Sequence, residues 1–186
     1  MDTVLEAETL YSRFIESERL RLVPATIELM QADLGGQAAL SDALGAIVPG
    51  EWPPELFDRP AVKYGIRQLQ NRAEAGWSFW YLLRPENGKW RVLGVCGFKG
   101  RPDPQGSVEI GYSILGPYRN KGYASEAVSR LVEWAFTHHA VLEVCAETFP
   151  HLGQSIRVLE KNGFRKTGPG SEFGVVRYAI TRGSLR

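Results

Sequence analysis

The run of residues 119–124, Arg-Asn-Lys-Gly-Tyr-Ala, has the residue types and spacing of an anion-binding turn. It follows a strand-like run that ends at Leu115 and precedes an amphipathic segment. Backbone N–H groups at a helix N-terminus point outward, and the helix dipole adds positive potential there. Gly122 permits close approach of a ligand to the backbone, and Arg119 and Lys121 add formal charge. The sequence therefore predicts a pyrophosphate-binding loop, and hence a cofactor that contains a nucleotide.

The segment after this turn is predicted to be a helix with one apolar face. Its apolar residues follow the i, i+3, i+4, i+7 spacing, and they are Ala124, Ala127, Val128, Leu131, Val132 and Ala135. The small residues at the start of this stripe predict close packing against a sheet, which would fix the direction of the turn amides. Taken alone, the turn is equally well explained as an exposed polar loop without a ligand, so other elements must decide.

The elements that position this turn are predicted from hydrophobic periodicity and from turn residues. The predicted helices span residues 27–34, 38–44, 61–75, about 124–138 and 154–162, and the predicted strands span residues 20–24, 78–84, 91–99, 107–115, 141–149 and 175–181. A long loop rich in proline and aromatic residues, 48–60, separates two of the helices. This order predicts an α/β (α+β) fold with a mixed, largely antiparallel sheet and helices on both faces.

One crossover in this order bears on function. A strand that leads through a helix to an adjacent parallel strand places the helix N-terminus at the carboxyl edge of the sheet. We expect the strands that end at Leu115 and Phe149 to form such a pair. If they splay apart at that edge, the cleft between them admits an extended ligand.

Length and composition limit the class of protein. The 186 residues predict one domain over residues 18–186, preceded by a leader over residues 1–17. A content of 44% hydrophobic and 23% charged residues is typical of a folded globular protein. The net charge of +1 gives no reason to expect nucleic acid or an anionic membrane as a partner.

Cysteine usage and the N-terminus suggest the compartment. Cys96 and Cys145 lie in apolar runs, which favours buried, reduced thiols over a metal site, and no metal is expected. The acidic N-terminus lacks the basic and apolar regions of a signal peptide, and no run reaches transmembrane length. We therefore expect a cytoplasmic protein. A homodimer through the edge strand near the C-terminus is also considered.

A second motif extends the first. The turn Arg119-x-x-Gly122-x-Ala124 resembles the (Gln/Arg)-x-x-Gly-x-(Gly/Ala) signature of the GNAT superfamily of acetyl-CoA-dependent N-acetyltransferases. The predicted helix that contains Ser155 and ends in Leu-Glu-Lys-Asn-Gly-Phe164 resembles the downstream helix of the same superfamily. Together with Glu-Ile-Gly-Tyr at 109–112, the combination is most similar to the ribosomal-protein N-terminal acetyltransferase (RimJ/RimL-like) branch. The motifs span residues 108–164.

The resemblance implies that acetyl-CoA is the co-substrate and that a primary amine is the acceptor, either a protein N-terminal α-amine or a small molecule. Direct attack of the amine on the thioester in a ternary complex would transfer the acetyl group. The pantetheine arm would run along Ile114 and Leu115, and a backbone N–H near Leu115 would bind the oxyanion. The pyrophosphate would lie on the amides of Arg119, Asn120, Lys121, Gly122, Tyr123 and Ala124.

Two side chains are candidates for catalysis, Ser155 from the resemblance and Glu109 from its place on the strand. Ser155 stands where this branch has a serine that can protonate the sulfur, although a serine that caps its own helix has the same sequence signature. Glu109, on the strand before the cleft, is the first choice for a general base, with Glu147 second; an ion pair is the alternative for Glu109. Many members use a tyrosine one helical turn after the serine, where this chain has Leu159.

Two alternative functions remain open besides acetyl transfer. The branch usually has an asparagine three residues before the serine, where this chain has Leu152, which leaves open a non-catalytic CoA-binding regulatory domain. A generic nucleotide-binding domain is the third reading, although no phosphate loop ending in Lys-Ser/Thr is present. Trp52, in the proline-rich loop, is expected to form a wall of the acceptor pocket.

Overall fold

The computed structural model describes residues 14–184, so residues 1–13 of the expected leader lie outside the described range. Within that range the helices α1 to α5 span Ile27–Gly35, Gln37–Leu44, Arg59–Leu69, Tyr123–Thr137 and Gly153–Lys161. The strands β1 to β8 span Ile15–Glu16, Arg21–Pro24, Phe79–Glu86, Lys89–Phe98, Ser107–Ile114, Glu143–Thr148, Arg165–Pro169 and Val176–Thr181. None of the helices found in residues 14–184 is long and apolar enough to cross a bilayer.

The strands form one mixed sheet in the order β1-β2-β3-β4-β5-β6-β8-β7. Neighbouring strands are antiparallel except β5 and β6, which are parallel and are joined through α4. Helices pack on both faces of the sheet. The predicted class, a mixed and largely antiparallel sheet between two layers of helices, is confirmed.

Local sequence explains where the first helices begin. The hydroxyl of Thr26 caps α1 by accepting a hydrogen bond from the N–H of Leu29 at 3.2 Å. The carboxylate of Asp58 caps α3 by accepting from the N–H of Ala61 at 2.9 Å, and Pro60 occupies the first turn, where its missing N–H costs nothing. These caps satisfy amides that have no partner within the helix.

The two faces of the sheet have separate apolar cores. Side chains on one face pack against α4 and α5, and we call it the α4/α5 face. The apolar stripe predicted for α4 packs there, and its residues Ala127, Val128, Leu131, Val132 and Ala135 are all buried. The other face, the α1–α3 face, packs against α1, α2 and α3 through residues of β2, β3 and β4 and through Leu115.

Three elements differ from the prediction. Strand β1 lies within the segment expected to be a leader, and it pairs with β2 as part of the sheet. Strand β7 was not predicted, because Arg-Lys-Thr-Gly-Pro lacks apolar alternation; it lies at the edge of the sheet and is largely exposed. The helix predicted over 61–75 ends at Leu69, and Asn71 then starts a separate 3₁₀ turn by accepting from the N–H of Ala73 at 3.1 Å. An asparagine side chain that bonds its own backbone competes with helix continuation.

Candidate active site

Strands β5 and β6 pair over only three residues and then diverge. Ser107–Glu109 pairs in register with Glu143–Cys145, and the pairing stops there. Beyond that point β5 continues to pair with β4 as far as Ile114, and β6 continues to pair with β8 as far as Thr148. The gap between β5 and β6 is the splayed cleft that the sequence predicted.

Strand register decides which backbone amides face this gap. The N–H of Leu115 donates to the carbonyl oxygen of Leu93 at 2.9 Å, and the N–H of Lys99 donates to that of Glu109 at 3.0 Å. In an antiparallel pair such bonds alternate along the strand, so odd-numbered residues of β5 bond to β4. The even-numbered amides therefore face β6. The N–H of Ile110 belongs to the last β5–β6 pair, and the N–H groups of Tyr112 and Ile114 face the gap. The N–H of Leu115 itself is bonded within the sheet, so the backbone N–H near Leu115 that faces the gap is that of Ile114.

The predicted anion-binding turn lies at the open end of the gap. A 3₁₀ turn, Gly116–Tyr118, leads into it, and Asn120 and Gly122 both adopt positive φ angles, 59° and 84°. Gly122 is the N-cap of α4 and supplies no capping side chain, so the first-turn amides of α4 remain available to a ligand. A Cβ on Gly122 would lie 3.1 Å from the guanidinium of Arg19, which is a second reason for glycine there.

Arg119 ties the turn to the end of β5. Its Nε donates to the carbonyl oxygen of Ile114 at 2.8 Å, and its Nη2 lies 3.2 Å from a carboxylate oxygen of Glu55 in the proline-rich loop. The side chains of Ile114 and Leu115 are buried on opposite faces of the sheet. What β5 presents to the gap at this level is therefore mainly the N–H of Ile114.

The first turn of α4 is held by residues far away in sequence. Glu126 accepts hydrogen bonds from the hydroxyl of Ser17 at 2.6 Å and from the backbone N–H and side chain of Arg19, both at 2.7 Å. Arg19 also donates to the carbonyl oxygen of Lys121 at 2.9 Å. Burial alone would raise the pKa of Glu126, but the bonds from Ser17 and Arg19 bring it below its usual value. Sequence reasoning missed Ser17 and Arg19, because no local pattern links positions more than 100 residues apart.

Ser155 meets a tyrosine that was not predicted as a site residue. The hydroxyl of Tyr112 lies 3.0 Å from Ser155 Oγ and 3.1 Å from the Ser155 carbonyl oxygen, so both oxygens are within hydrogen-bond distance of it. Leu152 is the N-cap of α5, so Ser155, inside the first turn, is not the residue that begins the helix. Burial raises the pKa of Tyr112 to about 12, while the bond to Ser155 acts in the opposite direction. The signal for Tyr112 was its place in the Glu-Ile-Gly-Tyr run, two residues before the end of β5.

The predicted bases lie on the α1–α3 face, opposite Tyr112. Glu109 forms an ion pair with Lys99 and is about one-quarter exposed. Glu143 pairs with Arg177 at 2.5 Å on the same face. Both oxygens of Glu147 accept from Ser171, at 2.8 Å from its N–H and at 2.6 Å from its hydroxyl. Glu147 thus holds the β7–β8 loop, which leaves Glu109 as the carboxylate closest to the point where the strands separate.

Trp52 belongs to the apolar core of the α1–α3 face. It is buried, its Nε1 donates to Asp33 at 2.8 Å, and its ring packs against Phe57 and Tyr81. Burial raises the pKa of Asp33, although bonds from Trp52 and Tyr81 oppose this. The prediction of an acceptor-pocket wall is wrong because the indole belongs to the core under the loop. The exposed tip of that loop carries Leu56 instead, with 93% of its surface accessible and a φ of 66°.

The remaining reactive side chains are placed as follows. Cys96 and Cys145 are both buried and free. The Nδ1 of His138 lies 3.1 Å from the carbonyl oxygen of Trp134, and its ring packs edge-on against the indole of Trp134, which agrees with a structural role. Among residues 14–184, no three His, Cys, Asp or Glu side chains converge as a metal site would require. Leu152, which stands in place of the expected asparagine, is 44% exposed.

Comparison with known proteins agrees with this geometry. Residues 19–165 match the family of acetyltransferase (GNAT) domains. An uncharacterized N-acetyltransferase of Bacillus subtilis, YjdG, is 31% identical over 160 residues, which cover 86% of this chain and 94% of that protein. A GNAT-family acetyltransferase structure from Bacillus anthracis is 25% identical and has a TM-score of 0.60, with 91% of this chain and 98% of that chain covered. RimL, a ribosomal alpha-N-protein acetyltransferase solved in complex with coenzyme A, shares the fold at 18% identity, with a TM-score of 0.62 and the same coverage.

Proposed function

Because this chain belongs to the GNAT family of acetyltransferases and is an acyltransferase, we propose that it moves the acetyl group of acetyl-CoA to a primary amine by direct attack in a ternary complex. The observation that carries the proposal is the gap between β5 and β6. Backbone amides face into it, an uncapped helix N-terminus lies at its mouth, and a pair of hydroxyls lies beside it. These features fit the two ends of a thioester cofactor.

The cofactor would bind mainly through backbone groups. Its pyrophosphate would accept hydrogen bonds from amides of the turn 119–124, where the dipole of α4 favours negative charge. From Ile114 to Glu109 the strand runs about 17 Å, at about 3.3 Å per residue. An extended arm lying in the gap can pair with the amides of Tyr112 and Ile114 as a neighbouring strand would.

The chemistry would use both faces of the sheet. The neutral amine attacks the thioester carbonyl from the α1–α3 face; the C–N bond forms, the C–S bond breaks, and the sulfur keeps the electron pair. The N–H of Tyr112 is positioned to stabilise the oxyanion, and the Ser155 hydroxyl lies on the leaving-group side. Glu109 would take the proton lost by nitrogen. It lies three residues, about 10 Å, from Tyr112, so we assign that transfer to an intervening water.

A covalent route through cysteine is less favoured. Cys145 lies opposite Glu109 at the point where the strands separate. Burial raises the pKa of its thiol, so little thiolate forms at neutral pH. Direct attack predicts that Cys145→Ala keeps most of the activity and that no acetyl group is retained on the protein without acceptor.

We assign the acceptor to the class of α-amines, as found at protein and peptide N-termini. An α-amino group has a pKa of about 7.7–8.0, whereas a lysine-like or polyamine nitrogen has a pKa of about 10.4. Glu109 is ion-paired with Lys99 and acts through a water, so this arrangement serves best an amine that is already partly neutral. Rates with an N-terminally free peptide and with a polyamine, compared across pH, test this assignment; a faster polyamine at neutral pH would refute it.

The decisive test is acetyl-CoA binding by calorimetry, in the wild type and in Gly122→Trp. The indole would cover the turn amides, so binding should be lost, and thiol release with a peptide amine should stop. Gly88→Trp is the matched control, because Gly88 also has a positive φ, 75°, but lies in the β3–β4 turn with open space around it. Thermal unfolding of both variants checks the fold. A wild-type chain that binds no acetyl-CoA would overturn the proposal.

A homodimer is a separate proposal. Strand β7 pairs with β8 on one side and lies at the edge of the sheet. We propose that a second copy can pair along this edge, since an edge strand presents backbone groups to a partner. Sedimentation at several concentrations measures this, and a monomer throughout would refute it.

A further inference from the structure

We propose that Tyr112 is a positioning residue for the leaving-group step: its hydroxyl donates to Ser155 Oγ and thereby holds the Ser155 O–H toward the gap between β5 and β6. This inference rests on the proposed function and assigns to one side chain a task within it. The two hydroxyls lie 3.0 Å apart although their residues are 43 positions apart in sequence.

Tyr112 is held more firmly than Ser155. It lies in the middle of the β4–β5 pair, opposite Cys96, and its ring packs against the core on the α4/α5 face. Ser155 lies in the first turn of α5. A hydroxyl rotates freely about its C–O bond unless a partner fixes it. A rigid strand residue next to a mobile serine hydroxyl is an arrangement that can fix it.

The direction of the hydrogen bonds decides the function of the pair. The phenol has one hydrogen and two acceptors in reach, the carbonyl oxygen and the Oγ of Ser155. If the phenol donates to the carbonyl, the serine hydrogen turns toward Tyr112 and away from the gap. If it donates to Oγ, the serine hydrogen is free to bond the sulfur. The carbonyl of Ser155 already accepts from Leu159 within α5, so Oγ is the less occupied acceptor.

Tyr112 orients the serine and does not supply the proton. Burial raises the pKa of Tyr112 to about 12, so the phenol remains a donor throughout the working pH range. A departing thiolate, with a pKa of about 8.5 for an ordinary thiol, is too weak a base to take that proton. The sulfur keeps the electron pair of the broken C–S bond and accepts a hydrogen bond from Ser155. The proton lost by nitrogen leaves through Glu109 and water, and solvent neutralises the thiolate.

A double-mutant cycle tests this assignment. The variants are Tyr112→Phe, Ser155→Ala and the double variant, with kcat and KM measured using acetyl-CoA and a peptide amine. We expect Tyr112→Phe to lower kcat about 10- to 100-fold with little change in KM or in acetyl-CoA binding. In the Ser155→Ala background the same substitution should have almost no further effect, because the hydroxyl that it orients is absent.

The control is Tyr178→Phe, which removes the hydroxyl of another buried tyrosine on the same face of the sheet and should leave kcat unchanged. Tyr112→Met, which fills the space without a hydroxyl, repeats the test if the phenylalanine variant does not fold. An equal loss of kcat from Tyr112→Phe in both backgrounds, or a loss of acetyl-CoA binding instead of kcat, would overturn the inference alone. A wild-type enzyme without turnover on any amine would overturn the proposed function, and this inference with it.

Discussion

The two faces of the sheet differ in how far their apolar cores extend. On the α4/α5 face the buried cluster runs across the sheet from Leu22 on β2 to Ile180 on β8. On the α1–α3 face the cluster draws on β2, β3 and β4 and ends at Leu115. Beyond that point, β5 and β6 present Ser107, Glu109, Gly111, Ser113, Glu143, Cys145 and Glu147 on this face. The α4/α5 face thus has a continuous apolar core, whereas the α1–α3 face ends in polar side chains beside the gap.

Two carboxylates show what this difference means. Glu126, on the first turn of α4, accepts hydrogen bonds from Ser17 and Arg19, and its side chain is 15% exposed to solvent. Glu109, on the opposite face, has an ion pair with Lys99, whose side chain is 65% exposed. An exposed pair contributes little and exchanges easily. We therefore propose a structural role for Glu126 and a role as general base for Glu109.

The largest effect expected is on stability, from Trp52→Ala on the α1–α3 face. Loss of a buried aromatic side chain should lower the free energy of unfolding by about 3–5 kcal/mol. Trp52→Phe keeps a ring but removes the bond to Asp33, and should cost about 1–3 kcal/mol. Urea unfolding measures both. If the folded fraction of either variant changed its preference among amines, Trp52 would belong to the acceptor pocket and not to the core.

Next in size is a loss of activity on the open part of the same face. Glu109→Gln should lower kcat/KM about 100-fold without altering acetyl-CoA binding, since it removes a base that acts on the amine. Glu143→Gln is the matched control, because Glu143 lies on the same face, is ion-paired with Arg177 and is similarly exposed. Equal losses in the two variants would show that the charge of the face matters and that Glu109 has no special role.

A smaller effect is expected on the cofactor side, from Glu126→Gln. The pKa of Glu126 is lowered in the folded state, so its contribution to stability is present above its unfolded value of 4.5 and is lost as pH falls through the folded value. Urea unfolding measured between about pH 3 and pH 7 tests this. At neutral pH the free energy of unfolding of the variant should be about 1–2 kcal/mol lower than that of the wild type, and it should depend less on pH. Glu133→Gln on the same helix, where the pair with Arg130 is exposed, should change little. Equal pH dependence in the wild type and Glu126→Gln would contradict this.

The smallest effect concerns the contact between the two regions. Glu55→Gln removes the carboxylate beside Arg119, which a pyrophosphate would otherwise have to displace or tolerate. Acetyl-CoA should bind about 2- to 3-fold more tightly at low salt, with the difference fading as salt is added. Glu51→Gln, on the same loop, is the control for net charge. Weaker binding in Glu55→Gln would mean that Glu55 positions Arg119 for the cofactor.

The sequence predicted the turn and helices on the α4/α5 face better than the loop on the α1–α3 face. The turn, the stripe of α4 and the helix that carries Ser155 are all contiguous, and their amphipathic pattern depends on neighbours three or four residues away. The loop over 48–60 has no such period. Its aromatic residues gave no indication of whether they face the core or solvent, and the indole of Trp52 proved to be buried.

Local pattern by itself determined the order of elements, the class of the sheet, and a turn of free amides before an amphipathic helix. Only tertiary structure decided that Arg19 and Ser17 hold Glu126, that Tyr112 meets Ser155, and that the N–H of Leu115 is bonded to β4. The physical reason is that helix faces and turns are set by nearby residues. The partners of a strand amide, and of a side chain in a distant segment, are set by register and packing between segments that meet only in the folded chain.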